Sequence, residues 1–323
     1  MTVFLANAHQ ALEQVVILYV IVAVGVIADK LGWFTDAIAR TCTHLLFYVI
    51  TPAVILRSFF QMKYSPEAAK GLLISVGCGM LLHLVGILLS EPFFRGSSGR
   101  HPEDCVLHFA AIYGNCGYMA LPLAQAMVGE EGVFYCSAVI LTFQVFSFTH
   151  GAFMMAGGVL GRKGEGESRF EWKRLVLNAG TLSVLAGLPF FLLGISLPRL
   201  VTQPVDYLAS MNTPLAMLVF GTYLSKTNLR SVRRGGKLLL AMGIKLFGIP
   251  AVVLGVLLLA GVCGPLLHAL LISASAPSAN NTVVFAAKYG RDPGYAAQVV
   301  GLISVLSIVT MPLVIALGLQ TNT

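Results

Sequence analysis

Ala111-Ile112-Tyr113-Gly114-Asn115-Cys116-Gly117-Tyr118-Met119-Ala120-Leu121-Pro122 lies inside an apolar run. So does Ser273-Ala274-Ser275-Ala276-Pro277-Ser278-Ala279-Asn280-Asn281-Thr282, in the other half of the chain. Both stretches put asparagine and proline where a bilayer-spanning helix should be unbroken. In hydrocarbon, a freed backbone N–H or C=O costs several kcal/mol unless protein or cavity water satisfies it. Interruptions at matching places in two halves of a membrane protein are the best sequence pointer to a transporter's substrate site.

The surroundings of the two stretches are apolar throughout. The 323-residue chain is 57% hydrophobic and only 11% charged, with a mean hydropathy of +0.82. Soluble domains carry about 25% charged residues, so the composition describes an integral membrane protein. Ten stretches of bilayer-spanning length are expected, at 11–28, 37–60, 68–90, 105–127, 132–160, 175–197, 205–225, 237–260, 266–287 and 294–318. The first is read as a retained helix rather than a signal peptide, because Glu13 and not a basic cluster precedes it. Cysteines 42, 78, 105, 116, 136 and 263 lie singly, all but Cys105 placed within apolar segments, and read as structural thiols. No metal and no cofactor is implied.

The two halves resemble each other at a nearly fixed offset. Leu31-Gly32 recurs as Leu193-Gly194 and Thr51-Pro52 as Thr213-Pro214, while Gly129-Glu130-Glu131-Gly132 has a counterpart in Gly290-Arg291-Asp292-Pro293-Gly294. The domain division follows: a first five-helix repeat at 1–160, a linker at 161–174 and a second repeat at 175–323. An odd number of spans per unit inverts the second relative to the first. The expected fold is therefore all-α, with ten transmembrane helices in two inverted repeats. Broken helices 4 and 9 should cross at mid-depth, since the same offset carries Asn115 to Ala276, beside Pro277.

Basic residues set the orientation. Sixteen of the 21 Lys and Arg fall on the loops after spans 1, 3, 5, 7 and 9, and four on the opposite side. By the positive-inside rule the first set is cytoplasmic and both termini face outward. The net charge of +7 is then accounted for by orientation and contact with the lipid leaflet, without a nucleic acid partner.

Candidate substrate-binding residues are Asn115, Pro122, Pro277, Asn280, Asn281, Gln144 and Lys245. A half-helix that begins at bilayer depth presents free N–H groups and a positive dipole end, suited to a carboxylate. The three asparagines add amides at that level, either as ligands or as caps on freed backbone. His108, Asn115 and Pro122 are spaced seven apart, on one helical face. Gln144 would line the same cavity or bridge helices. Lys245, the cation deepest within a span, would attract an anion or snorkel to the surface. The Thr-Pro pairs read as hinges. Histidines 44, 83, 108 and 150 read as structural, with proton relay as the other role open to them. No Asp or Glu lies mid-span, which argues against strong cation coupling. An intramembrane enzyme would need a nucleophile–base pair, paired carboxylates or metal ligands, and no such spacing is present.

With Ile50-Thr51-Pro52-Ala53, Gly114-Asn115-Cys116-Gly117-Tyr118-Met119-Ala120-Leu121-Pro122-Leu123, Lys245-Leu246, the run from Ala276 to Ala286, Tyr289-Gly290 and Met311-Pro312-Leu313, the chain resembles the auxin efflux carrier family. That family includes bacterial malonate and malate permeases. The resemblance implies a fold like that of bile-acid symporters and sodium/proton antiporters, with spans 1, 2, 6 and 7 as a scaffold and a homodimer formed through it. It also implies elevator-type movement, with Asn115 and the Asn280–Asn281 pair flanking a substrate carboxylate. The expected function is a secondary carrier in the cell (inner) membrane for a small organic anion, an auxin-like monocarboxylate or a dicarboxylate. The alternative is a proton- or sodium-coupled organic-anion symporter.

Overall fold

The computed structural model describes residues 2–94, 102–156, 179–225 and 235–320. The expected linker at 161–174 lies outside the described residues, as do the end of span 5 and the start of span 6. Among the described residues the chain is helical and no strand is formed. Helix α1 is Thr2–Lys30, and α2 runs over 36–61 through a π-helical turn at Leu46–Ile50. Pro66–Phe94 forms α3, Pro102–Ile112 α4 and Cys116–Val128 α5. Glu130–Met155 forms α6 and Ala179–Leu193 α7. Arg199–Ser210 is α8, Asn212–Ser225 α9 and Gly236–Leu259 α10. Gly264–Ser275 is α11, Asn281–Lys288 α12 and Pro293–Gln320 α13.

Six of these helices (α1, α2, α3, α6, α10 and α13) are long and apolar enough to cross a bilayer. Their polarity is turned inward. Leu73, Leu88, Leu239 and Leu259 are exposed, while Ser58, Ser75, Ser90 and Ser304 are buried. Each of those serines donates its hydroxyl to a carbonyl three or four residues back on its own helix. That local bond satisfies the group without a partner from elsewhere. The six cysteines are free thiols, and Cys263 is exposed at the turn before α11 rather than set within an apolar segment.

Proline positions explain the helix irregularities. Three π turns, at Leu46–Ile50, Cys116–Ala120 and Ile244–Gly248, end two residues before Pro52, Pro122 and Pro250. A proline has no N–H to give the carbonyl four residues back, and its ring crowds that carbonyl. The widened turn relieves the crowding without ending the helix. Thr51-Pro52 is therefore a kink inside a continuous α2. In the second half the corresponding break falls at Met211, between α8 and α9.

Packing forms two sets of helices, which are joined by a long contact of α1 with α13. Helix α1 lies along α9, and α2 along α7 and α8. In the other group α3 packs on α6 and α4, and α11 on α6 and α13. The α1–α9 contact is backbone against backbone. A Cβ on Gly25 would strike the Leu218 carbonyl, and one on Gly221 the Val22 carbonyl. Within lipid, where no hydrophobic force draws helices together, such small-residue contacts supply the packing. Ser225 also donates to the Asp29 carboxylate across this pair.

Candidate functional site

Helices α4 and α5 are separated by Tyr113-Gly114-Asn115, and α11 and α12 by 276–280. The two gaps lie against each other. The Asn115 N–H donates to the Pro277 carbonyl at 2.7 Å, and the Ala279 N–H to the Tyr113 carbonyl at 2.9 Å. Gly114 and Ser278 thereby pair as an isolated antiparallel bridge. The Ser278 hydroxyl donates to the Ala110 carbonyl at 2.6 Å, one of those left without a helical partner at the end of α4. Each interruption thus repairs the other, which is how unwound backbone persists inside an apolar bundle. Ser278→Ala should lower stability by about 1–3 kcal/mol, because the buried Ala110 carbonyl loses its donor. Denaturant or thermal unfolding in detergent would measure it.

The two asparagines that begin the half-helices behave differently. Asn115 accepts the Tyr118 N–H on Oδ1 at 3.1 Å, capping α5, and this fixes the amide so that Nδ2 has no partner. Asn280 precedes α12 without any side-chain capping bond, and its Nδ2 is likewise unpartnered. Backbone repair is thus half the role of Asn115 and no part of the role of Asn280.

A small cavity of about 60 Å³ opens at the crossing. Since ~10–15 Å³ of such space holds a water, this one has room for a few waters or a compact solute. Asn115, Cys116 and Gly117 line it from the start of α5, and Asn280 and Asn281 from the start of α12. Helix α6 contributes Ile140, Phe143 and Gln144. Two helix N-termini therefore face one cavity, each contributing up to ~2 kcal/mol toward an anion in a partly buried setting.

Four of the seven candidate residues line this cavity: Asn115, Asn280, Asn281 and Gln144. The other three do not. Pro122 is buried within α5, because the chain leaves the helix at Tyr113 and the seven-residue face through His108, Asn115 and Pro122 does not exist. Pro277 serves the crossing through its carbonyl. Lys245 is fully buried on the π turn of α10, with no hydrogen-bond partner for Nζ. A Cβ on Gly114 would sit 2.7 Å from that Nζ, so Lys245 reaches the back of the crossing through the space this glycine leaves. Phe47, Thr51, Tyr118 and Gly180 also line the cavity and escaped the sequence reading. For Thr51 the proline beside it had favoured a hinge over substrate contact. Phe47 and Gly180 carry no sequence signal.

An ion-paired cluster also links α2 with α5 and α6. Arg57 of α2 contacts Glu130 Oε1 at 2.7 Å and donates to Gln125 Oε1 at 3.0 Å. Gln125 donates in turn to Glu130 Oε1 at 2.9 Å. The Lys237–Asp104 pair, at 2.5 Å, instead links α10 with α4.

Comparison with known proteins bears on what this arrangement does. The chain is 25% identical to an uncharacterised transporter of Methanocaldococcus jannaschii, over 94% of this chain and 97% of that protein. It is 26% identical to a putative malonate transporter of Rhizobium meliloti, over 88% and 85% respectively. Auxin efflux carrier component 7 of Arabidopsis thaliana is 26% identical across 46% of this chain and 25% of that protein. The family described as membrane transport protein matches residues 10–315. With its multi-helix membrane fold and a polar crossing inside an apolar bundle, the chain belongs to this family, that of the auxin efflux carriers, and is a membrane transporter rather than an enzyme.

Proposed function

We propose that the protein carries a small organic anion across the cell membrane by alternating access at the crossing of its two helix breaks. The observation that carries this reading is the pair of unpartnered amide donors, Asn115 Nδ2 and Asn280 Nδ2, at two helix N-termini that face one cavity. A carboxylate would accept both amides and lie in the field of both dipoles. The cavity's size favours a compact acid, and the malonate name of a relative points the same way. A larger auxin-like acid would require the cavity to widen. Asn281 and Gln144 would complete the polar wall, and Lys245 would hold positive charge behind it.

The ten-crossing, inverted-repeat reading is supported by the positive backbone φ of Gly32 and Gly194, and again of Gly129 and Gly290. These are the pairs that the repeat relates. Joining α4 with α5, α8 with α9 and α11 with α12 as single crossings gives five in each half, divided into 1–160 and 175–323. Helices α1, α2, α7, α8 and α9 would form the scaffold, and the remainder the mobile unit. The Arg57–Glu130 pair then spans the sliding boundary. Both termini would face outward in the inner membrane, and the scaffold face would pair two copies.

Uptake of radiolabelled malonate and a panel of mono- and dicarboxylates into proteoliposomes tests the proposal. Saturable uptake accelerated by preloaded acid is expected. The absence of such uptake for the whole panel would refute it. Without trans-acceleration the protein would be a channel.

A further inference from the structure

Four protonatable side chains from α3, α4, α6 and the break after α4 meet beside the crossing. Glu91 ends α3 and is about a third exposed, and its Oε2 lies 3.5 Å from Nε2 of His108 on α4. The His108 ring stands 6.2 Å from that of His150, on the π turn of α6. His150 Nδ1 lies 3.0 Å from the Tyr113 hydroxyl, which itself donates to the Phe146 carbonyl at 2.9 Å. With the hydroxyl proton directed to Phe146, a neutral His150 protonated on Nδ1 would donate to Tyr113 and keep Nε2 as the atom that takes up a further proton. Tyr113 is also part of the crossing, since its carbonyl receives the Ala279 N–H. His108 has no hydrogen-bond partner on either ring nitrogen.

We propose that Glu91, His108, His150 and Tyr113 form a proton-loading relay, so that one proton travels with each anion. The inference rests on the carrier reading above. A proton taken up by the Glu91 carboxylate passes to His108, where an N–H bond forms as the carboxyl O–H breaks. It then passes to Nε2 of His150 across a gap that a ring rotation or one bridging water closes. Release on the far side of the membrane returns the ring to neutrality. An anion and an imidazolium moving together present less net charge to the low-dielectric interior than either alone. That makes the coupling symport rather than exchange. Other ionisable groups border the relay. His83 of α3 lies 5.7 Å from the Tyr113 ring and stacks on Phe146. Lys245 of α10 reaches Gly114, the residue after Tyr113. Tyr289, just past α12, and Tyr295 of α13 border the same aromatic cluster.

The test uses full-length protein in proteoliposomes with radiolabelled malonate, together with histidine-labelled protein in nanodiscs for NMR titration. For the unaltered chain, a one-unit pH gradient should drive about tenfold accumulation of malonate if one proton is coupled. In His150→Gln and His108→Gln that accumulation should vanish while malonate–malonate exchange continues. Exchange that ignores the pH gradient in the unaltered chain would overturn the relay and leave the carrier intact. If malonate is not exchanged at all, the titration decides. Linked titration of His108 and His150, with the His150 transition displaced in Tyr113→Phe, supports the relay. Independent titration, or none between pH 5 and 8, overturns it.

Discussion

Asn115→Asp should abolish or severely weaken anion transport while leaving the fold intact. The carboxylate keeps the oxygen that accepts the Tyr118 N–H, so the cap on α5 survives. What changes is the second atom, from an unpartnered N–H donor to a negatively charged oxygen. A hydrogen bond to a charged group contributes about 1.5–3 kcal/mol, a roughly 10- to 150-fold change in half-saturation, and repulsion adds to it in the same direction. Asn115→Ala removes the cap as well and should also cost about 1 kcal/mol of stability. Comparing the two in transport and in thermal unfolding separates ligand contact from backbone repair. If Asn115→Asp carries substrate as well as the parent does, the amide serves the backbone only.

Gly221→Leu should prevent the protein from folding or reduce its yield sharply. The atom in the way is the Val22 carbonyl of α1, with Gly25 beside it, so no side-chain rotation makes room. Overpacking a well-packed contact costs about 1–3 kcal/mol, occasionally more. Here the two backbones must also separate, and α1–α9 is one of the most extensive helix pairs in the molecule. Gly77→Leu is the control, as a Cβ there meets nothing. Yield of monodisperse protein and its unfolding temperature would show the difference. Equal behaviour of the two variants would mean that α1 and α9 are held by something other than this close approach.

The sequence told where the helices break because glycine, asparagine and proline inside apolar runs have few other uses. The structure places the gaps at 113–115 and 276–280, within the two stretches first singled out. Periodicity then misled at Pro122, since counting sevens through an unwound segment assumes helix where there is none. The cavity was only partly legible. Its asparagines lie in the breaks, but Phe47 and Gly180 come from neighbouring helices whose register no single chain reveals. Histidine spacing hid the relay for the same reason. Positions 91, 108 and 150 belong to three helices and 113 to the break after α4, and only packing brings these side chains together. The missing mid-span carboxylate had argued against coupling, yet Glu91 at a helix end reaches His108, and the histidines continue inward.

Cys116 offers a direct reading of whether the crossing faces each side of the membrane in turn. It is the first residue of α5, it lines the cavity, and it is buried in the present conformation. Membrane-impermeant maleimide applied from either side of oriented vesicles, followed by peptide mass spectrometry, gives its modification rate on each side. Alternating access predicts labelling of Cys116 from both sides, slowed by any acid the protein carries. Labelling from one side alone, indifferent to every acid tried, would contradict it.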